Sequence, residues 1–149
     1  MKRKSVRIYS FTGTGSCLAL KLAEKLKQEE YVCTGYTVAR FAEDKRLQRL
    51  NDGWKQEIGA SWGEHALVFI GAAGIAIRAI APFVKDKFTD PPVIVLDEKG
   101  TFAIPLLSGH VGGGVTLAKV LAEYTGGRAV ITTATDCLLY TSPSPRDTR

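Results

Sequence analysis

The sequence predicts an α/β protein, a three-layer αβα sandwich around a largely parallel sheet. Three observations predict it. Short apolar runs alternate with amphipathic stretches along most of the chain, the pattern of strands joined by crossover helices. Runs such as Ala66–Ile70 and Val93–Leu96 are apolar throughout, as strands covered on both faces should be. The 15 glycines among 149 residues gather where those runs end, and chain reversals there need their conformational freedom.

The elements follow in order. Residues 5–11 alternate loosely around Val6, Ile8 and Tyr9 and read as a first strand. A TGTGS turn follows, and Ser16 is placed to cap a helix over 17–28. That helix carries Leu18, Leu22 and Leu26 on one stripe. Residues 31–38 read as a second strand. The polar stretch 43–58, with Leu47, Leu50, Trp54 and Ile58 near helical spacing, reads as a helix interrupted at Asn51-Asp52-Gly53. Ala66–Ile70 is a buried strand leading into a short helix over 75–81. Val93–Leu96, the turn Asp97-Glu98-Lys99-Gly100 and 102–105 have hairpin character. A glycine-rich loop over 108–114 opens a helix over 115–124, closed by Gly126-Gly127. Residues 129–133 form a last buried strand.

Composition excludes several classes. Three cysteines with no CxxC spacing form neither a disulfide framework nor a structural zinc site, so a reduced, cytoplasmic setting is expected. The formal charge of +5 comes from the chain ends: between Ile8 and Asp136 basic and acidic residues balance. No basic stripe marks a nucleic-acid binder. The longest apolar run, 66–77, falls short of the roughly 20 residues of a spanning helix, so no membrane partner is expected. Residues 137–149, CLLYTSPSPRDTR, lack periodicity and read as a non-native or disordered tail.

Candidate site residues lie at strand ends. TGTGS lacks the third glycine of a dinucleotide fingerprint, since position 18 is Leu18, and no Walker loop occurs. Gly71 and Gly74 flank a turn into a helix that Arg78 interrupts. Arg78 either pairs internally or reaches a cleft to bind an anion. Ser108, Gly109, His110, Gly112, Gly113 and Gly114 put free N–H groups at a helix N-terminus, an anion site. The positive helix end disfavours imidazolium, so His110 is expected to be neutral and able to take a proton. His65, among polar residues, reads as an ordinary surface residue. Asp86, Asp90, Asp97 and Glu98 read as a solvated face, with Asp97, at a strand end, the better functional candidate. Thr132, Thr133 and Thr135 offer hydroxyls to ligand carboxylates. The glycine loop and Arg78 together predict one anion-binding cleft at the carboxyl edge of the sheet.

ALVFIGAAGIAIRAIAPFVKDKFTDPPVIVLDEKG, LLSGHVGGG and VITTATD resemble the N-terminal region of the cobalt-precorrin-5A hydrolase family, the CbiG-type proteins of cobalamin biosynthesis. The resemblance is dense over residues 66–136 and extends in layout to the whole of 1–136. The family loop usually reads GHLGGAN, and Val115 stands where its Asn would be. The resemblance implies opening of the ring-A lactone of a cobalt-containing tetrapyrrole, with release of acetaldehyde. It also implies a further C-terminal domain as partner. The cobalt arrives with the substrate, so no cofactor of the protein's own and no protein metal site is expected. Lactone opening needs a base and oxyanion donors. The chemistry assigns His110 and Asp97 as catalytic candidates, the glycine amides as oxyanion donors, and Arg78 and the threonines as carboxylate holders. Two other readings stay open: a corrinoid-binding module without its own chemistry, and a nucleotide-binding α/β domain.

Overall fold

The computed structural model describes residues 4–43, 45–107 and 113–133. The first strand, β1 (Ser5–Ser10), leads into helix α1 (Gly13–Gln28) and back to β2 (Val32–Thr37). A two-residue edge strand, β3 (Gln48–Arg49), precedes the short helix α2 (Trp54–Ala60) and strand β4 (Ala66–Ile70). Helix α3 (Ala73–Ile80) connects to β5 (Val93–Leu96), which turns into β6 (Phe102–Leu107). Helix α4 (Gly113–Thr125) and β7 (Arg128–Ala129) complete the fold.

The sheet has seven strands in the order β3-β2-β1-β4-β5-β6-β7. β1 to β5 are parallel to one another, β6 is antiparallel to β5, and β7 is parallel to β6. The last two strands therefore run against the other five. Period-2 alternation divides the core into two layers. Val6, Ile8, Val68, Ile70, Ile94 and Leu96 pack under α1 and α4. Tyr9, Leu67, Phe69, Val93 and Val95 pack with Ile58 of α2 and Ala76, Ala79 and Ile80 of α3. This is the expected αβα sandwich.

Local differences from the sequence expectation have local causes. Helix α1 starts four residues early because Thr12, not Ser16, caps it: Thr12 Oγ1 accepts from Gly15 N at 3.0 Å. Ser16 is buried inside the helix, where its hydroxyl donates to Thr12 O at 2.7 Å and lies 2.8 Å from the Thr37 hydroxyl. The helix expected over 43–58 is instead β3 followed by α2. Leu47 is drawn inward onto Gly35 of β2, whose missing side chain leaves it room. Leu50 N then donates to Thr37 O at 2.8 Å, extending the sheet. The last strand is shorter than 129–133 and lies at the sheet edge rather than in the core, with Arg128 exposed.

The acidic group around 86–98 is also not a solvated face throughout. Asp90 is 5% exposed. Its carboxylate accepts from Trp62 Nε1 at 3.0 Å and from Lys85 N at 2.9 Å, tying down the connection between α3 and β5. Among the described residues no helix is long and apolar enough to cross a membrane.

Candidate functional site

The topology creates two clefts on opposite edges of the sheet. The first lies at the carboxyl ends of the parallel strands, where β1 connects to one side and β4 to the other, the crevice in which α/β sheets commonly bind ligands. It has a volume of about 430 Å³ and is walled by Phe11, Trp54 and Ile75, with Asp52, Lys55 and Arg78 as its charged groups. Gly71 follows β4 at this edge: its φ of +147° is a conformation that side-chain-bearing residues rarely adopt, and its N–H donates to Leu96 O at 2.8 Å. Arg78 folds back along α3 over Gly74, with Nη1 2.8 Å from where a Cβ would stand. Gly74 is thus the floor under a guanidinium rather than a close contact with the sheet. Arg78 is exposed and, among the described residues, has no carboxylate partner. Its side chain lines this cleft.

The second cleft, about 410 Å³, lies at the amino ends of β1 and β4. The β5–β6 hairpin produces it. Because β6 runs backwards, Leu107 pairs with Val93, the first residue of β5. Gly113, the first residue of α4, consequently lines the amino edge, with its Cβ direction 3.6 Å from Pro92. The first turn of α4 holds no acidic residue, so its orphan N–H groups and partial positive charge face this cleft without a built-in carboxylate. Across from it Ser5 Oγ and His65 Nδ1 are 2.6 Å apart. Burial holds the His65 imidazole below the ordinary histidine pKa. Arg7 pushes in the same direction, and Glu64 opposes.

Comparison with known proteins bears on what such a pair of clefts serves. Residues 58–136 match the Cobalamin synthesis G N-terminal family. The chain is 40% identical over 137 residues to the cobalt-precorrin-5A hydrolase of Salmonella typhimurium, which covers 91% of this chain and 37% of that protein. It is 47% identical over 70 residues to the cobalt-precorrin-5A hydrolase of Priestia megaterium, covering 47% of this chain and 19% of that protein. This chain belongs to the Cobalamin synthesis G N-terminal family.

A solved structure, a cobalamin biosynthesis protein G homolog from Sulfolobus solfataricus, superposes with a TM-score of 0.66 at 27% identity, covering 86% of this chain and 36% of that one. The chain thus spans under two-fifths of the length of the curated relatives named here.

Within this family fold the residues expected from sequence do not form one site. Gly71, Gly74 and Arg78 meet at the carboxyl edge, while Gly113 and Gly114 begin α4 at the amino edge. The single carboxyl-edge cleft is corrected to two, separated along β1 by roughly 17 Å at about 3.3 Å per residue. Thr132 is exposed and Thr133 half-buried, beyond β7. Val115 is buried in α4.

Asp97 has a turn function. Its oxygens accept from Phe102 N at 2.7 Å and Lys99 N at 3.3 Å. Burial raises its pKa, but backbone N–H groups, Phe102's first, outweigh that and hold the carboxyl below its ordinary value. Both oxygens are engaged by the hairpin. Ser108, Gly109, His110, Gly112, Thr135 and the tail 137–149 lie outside the described residues.

The pair that sequence reading missed is Ser5 with His65. Sixty positions separate them, and only the register of β1 with β4, Val6 beside Ala66, brings them together. The local periodicity of the sequence carries no signal for it.

Proposed function

We propose that this chain acts in cobalamin biosynthesis as part of a hydrolase that opens the ring-A lactone of cobalt-precorrin-5A. Acetaldehyde and cobalt-precorrin-5B are the products. The observation that carries this reading is the 40% identity running through 91% of the chain to an enzyme of that name. The amino-edge cleft supports it chemically. Ester hydrolysis needs donors aimed at a developing oxyanion, and the first turn of α4 offers an N–H group without a partner inside the helix at Gly113, on the cleft wall. It also needs a proton acceptor. His110 is the acceptor that the sequence suggests, and its substitution in a full-length relative tests that role.

A cleft of this volume accepts one ring edge with its side chains, not a whole macrocycle, and the named relatives are much longer proteins. The 149 residues alone are therefore expected to bind a cobalt-corrinoid at micromolar affinity or weaker, about −8 kcal/mol at best, and to turn over slowly. Visible-absorbance titration with a cobalt-corrinoid measures the first, and acetaldehyde release from cobalt-precorrin-5A measures the second. Tight binding of a nucleotide with no corrinoid response would overturn the reading. One contact already disfavours a nucleotide at the TGTGS turn: the Phe41 ring stands 3.4 Å from the Cβ direction of Gly13, over the first turn of α1.

A further inference from the structure

We infer that Ser5 and His65 form a nucleophile–base pair that cleaves an ester by acyl transfer in the amino-edge cleft. The inference rests on the lactone reading only for its natural substrate. Three features support a reactive pair over a merely structural hydrogen bond. The Oγ···Nδ1 distance of 2.6 Å is within the range for a hydroxyl poised to give up its proton. Both residues line an open cleft of about 410 Å³ instead of packing into the core. The same cleft is walled by the first turn of α4, so donors for an oxyanion and an activated hydroxyl share one space. Val6, Pro92 and Leu117 give part of its wall an apolar surface.

The steps balance as follows. With the ring proton on Nε2, His65 Nδ1 takes the Ser5 proton as Oγ bonds to the ester carbonyl carbon. The carbonyl π electrons move to oxygen beside the α4 amides. Collapse of that intermediate breaks the carbon–oxygen bond of the ester, and the His65 proton passes to the departing alkoxide. Water then repeats the sequence: its proton goes to His65, its oxygen bonds to the acyl carbon, and Ser5 leaves with the proton returned. One water is consumed, and an acid and an alcohol are formed.

The charged and titratable groups around His65 are Lys4 and Arg7 on the β1 side, Glu64 before β4, and Tyr31 before β2. Burial and, after it, Arg7 oppose imidazolium formation while Glu64 favours it less strongly, so His65 should be a free base at neutral pH. Ester cleavage is expected to rise with pH through a midpoint below the ordinary histidine value near 6.5.

A fluorophosphonate probe and p-nitrophenyl acetate test the pair on the purified 149-residue chain. The expected results are a phosphonylated peptide containing Ser5, found by mass spectrometry on the unaltered chain, and ester cleavage above background. Ser5→Ala should remove the label, and His65→Gln should slow ester cleavage by about 10²- to 10⁴-fold, the range for losing a general base. Labelling of another residue, no labelling, or unchanged cleavage in both variants would overturn the pair. Cobalt-corrinoid binding without Ser5 labelling overturns the pair and leaves the family function standing. Labelling without corrinoid binding upholds the pair and removes the lactone as its substrate.

Discussion

The two edges of the sheet are built by different means. At the carboxyl edge every feature follows from repeated strand–helix connections: the turn after β1, the turn after β4, and Arg78 one helical turn further on. At the amino edge the cleft exists because one hairpin reverses the chain, so that α4 starts where β1 and β4 also start. A helix N-terminus that simple alternation would place beside Arg78 is carried to the far side of the molecule. One antiparallel connection thus decides which residues can share a ligand, although it changes no side chain.

That contrast can be broken or sharpened by substitution, beyond the Ser5 and His65 tests. The largest effect is expected from Thr116→Glu, which puts a carboxylate in the exposed first turn of α4. It should weaken binding of a carboxylate-rich corrinoid by roughly fivefold, about 1 kcal/mol of like-charge repulsion near the surface. The same change should leave thermal stability equal or slightly higher, since acidic residues suit a helix N-terminus. Unchanged affinity by titration would take the substrate away from the amino edge.

Asp97→Ala tests the hairpin that separates the edges. Removing its acceptors from the Phe102 and Lys99 amides should cost about 1 kcal/mol, a fall of roughly 3 °C in Tm for a domain of this size. Since folding lowers this carboxyl's pKa, its contribution is complete above the ordinary value of 3.8 and is lost as pH falls through the lower folded value. The stability difference between the unaltered chain and the Asp97→Ala variant should therefore shrink in strong acid, which urea unfolding at several pH values would reveal. A difference independent of pH would remove the carboxylate from the account.

Arg78→Ala should have the smallest effect on amino-edge chemistry, with p-nitrophenyl acetate cleavage within about twofold of the unaltered chain, as expected for sites with no shared partners. A ten- to hundredfold loss of corrinoid affinity, roughly the 1.5–3 kcal/mol range for a charged hydrogen bond, would place the macrocycle at the carboxyl edge instead.

Much of this architecture was legible in the sequence for identifiable reasons. Ala66–Ile70 and Val93–Leu96 are covered on both faces, so their composition alone marks them as strands. Leu22 and Leu26 repeat at helical spacing because α1 buries one stripe. The hairpin was legible in its turn residues, but its consequence for where α4 begins was not, because strand direction is a property of pairing rather than composition. β3 could not be read because two residues have no period, and Leu47 is held by Gly35, a partner distant in the chain. Ser5 with His65 was hidden for the same reason. The capping role of Thr12 over Ser16 was a choice between nearby hydroxyls that only the backbone geometry resolves.

β1 has Ser5 at one end and ends next to Phe11 at the other, so a single strand borders both clefts. It is hydrogen-bonded on both sides, to β2 and to β4. A strand held that way transmits little deformation along its length, and sites this far apart with no shared neighbour usually behave additively. The two edges should therefore be separable by engineering. A new anion specificity could be built around Arg78, or a new acyl group fitted opposite Ser5, and either change would leave the other edge as it was.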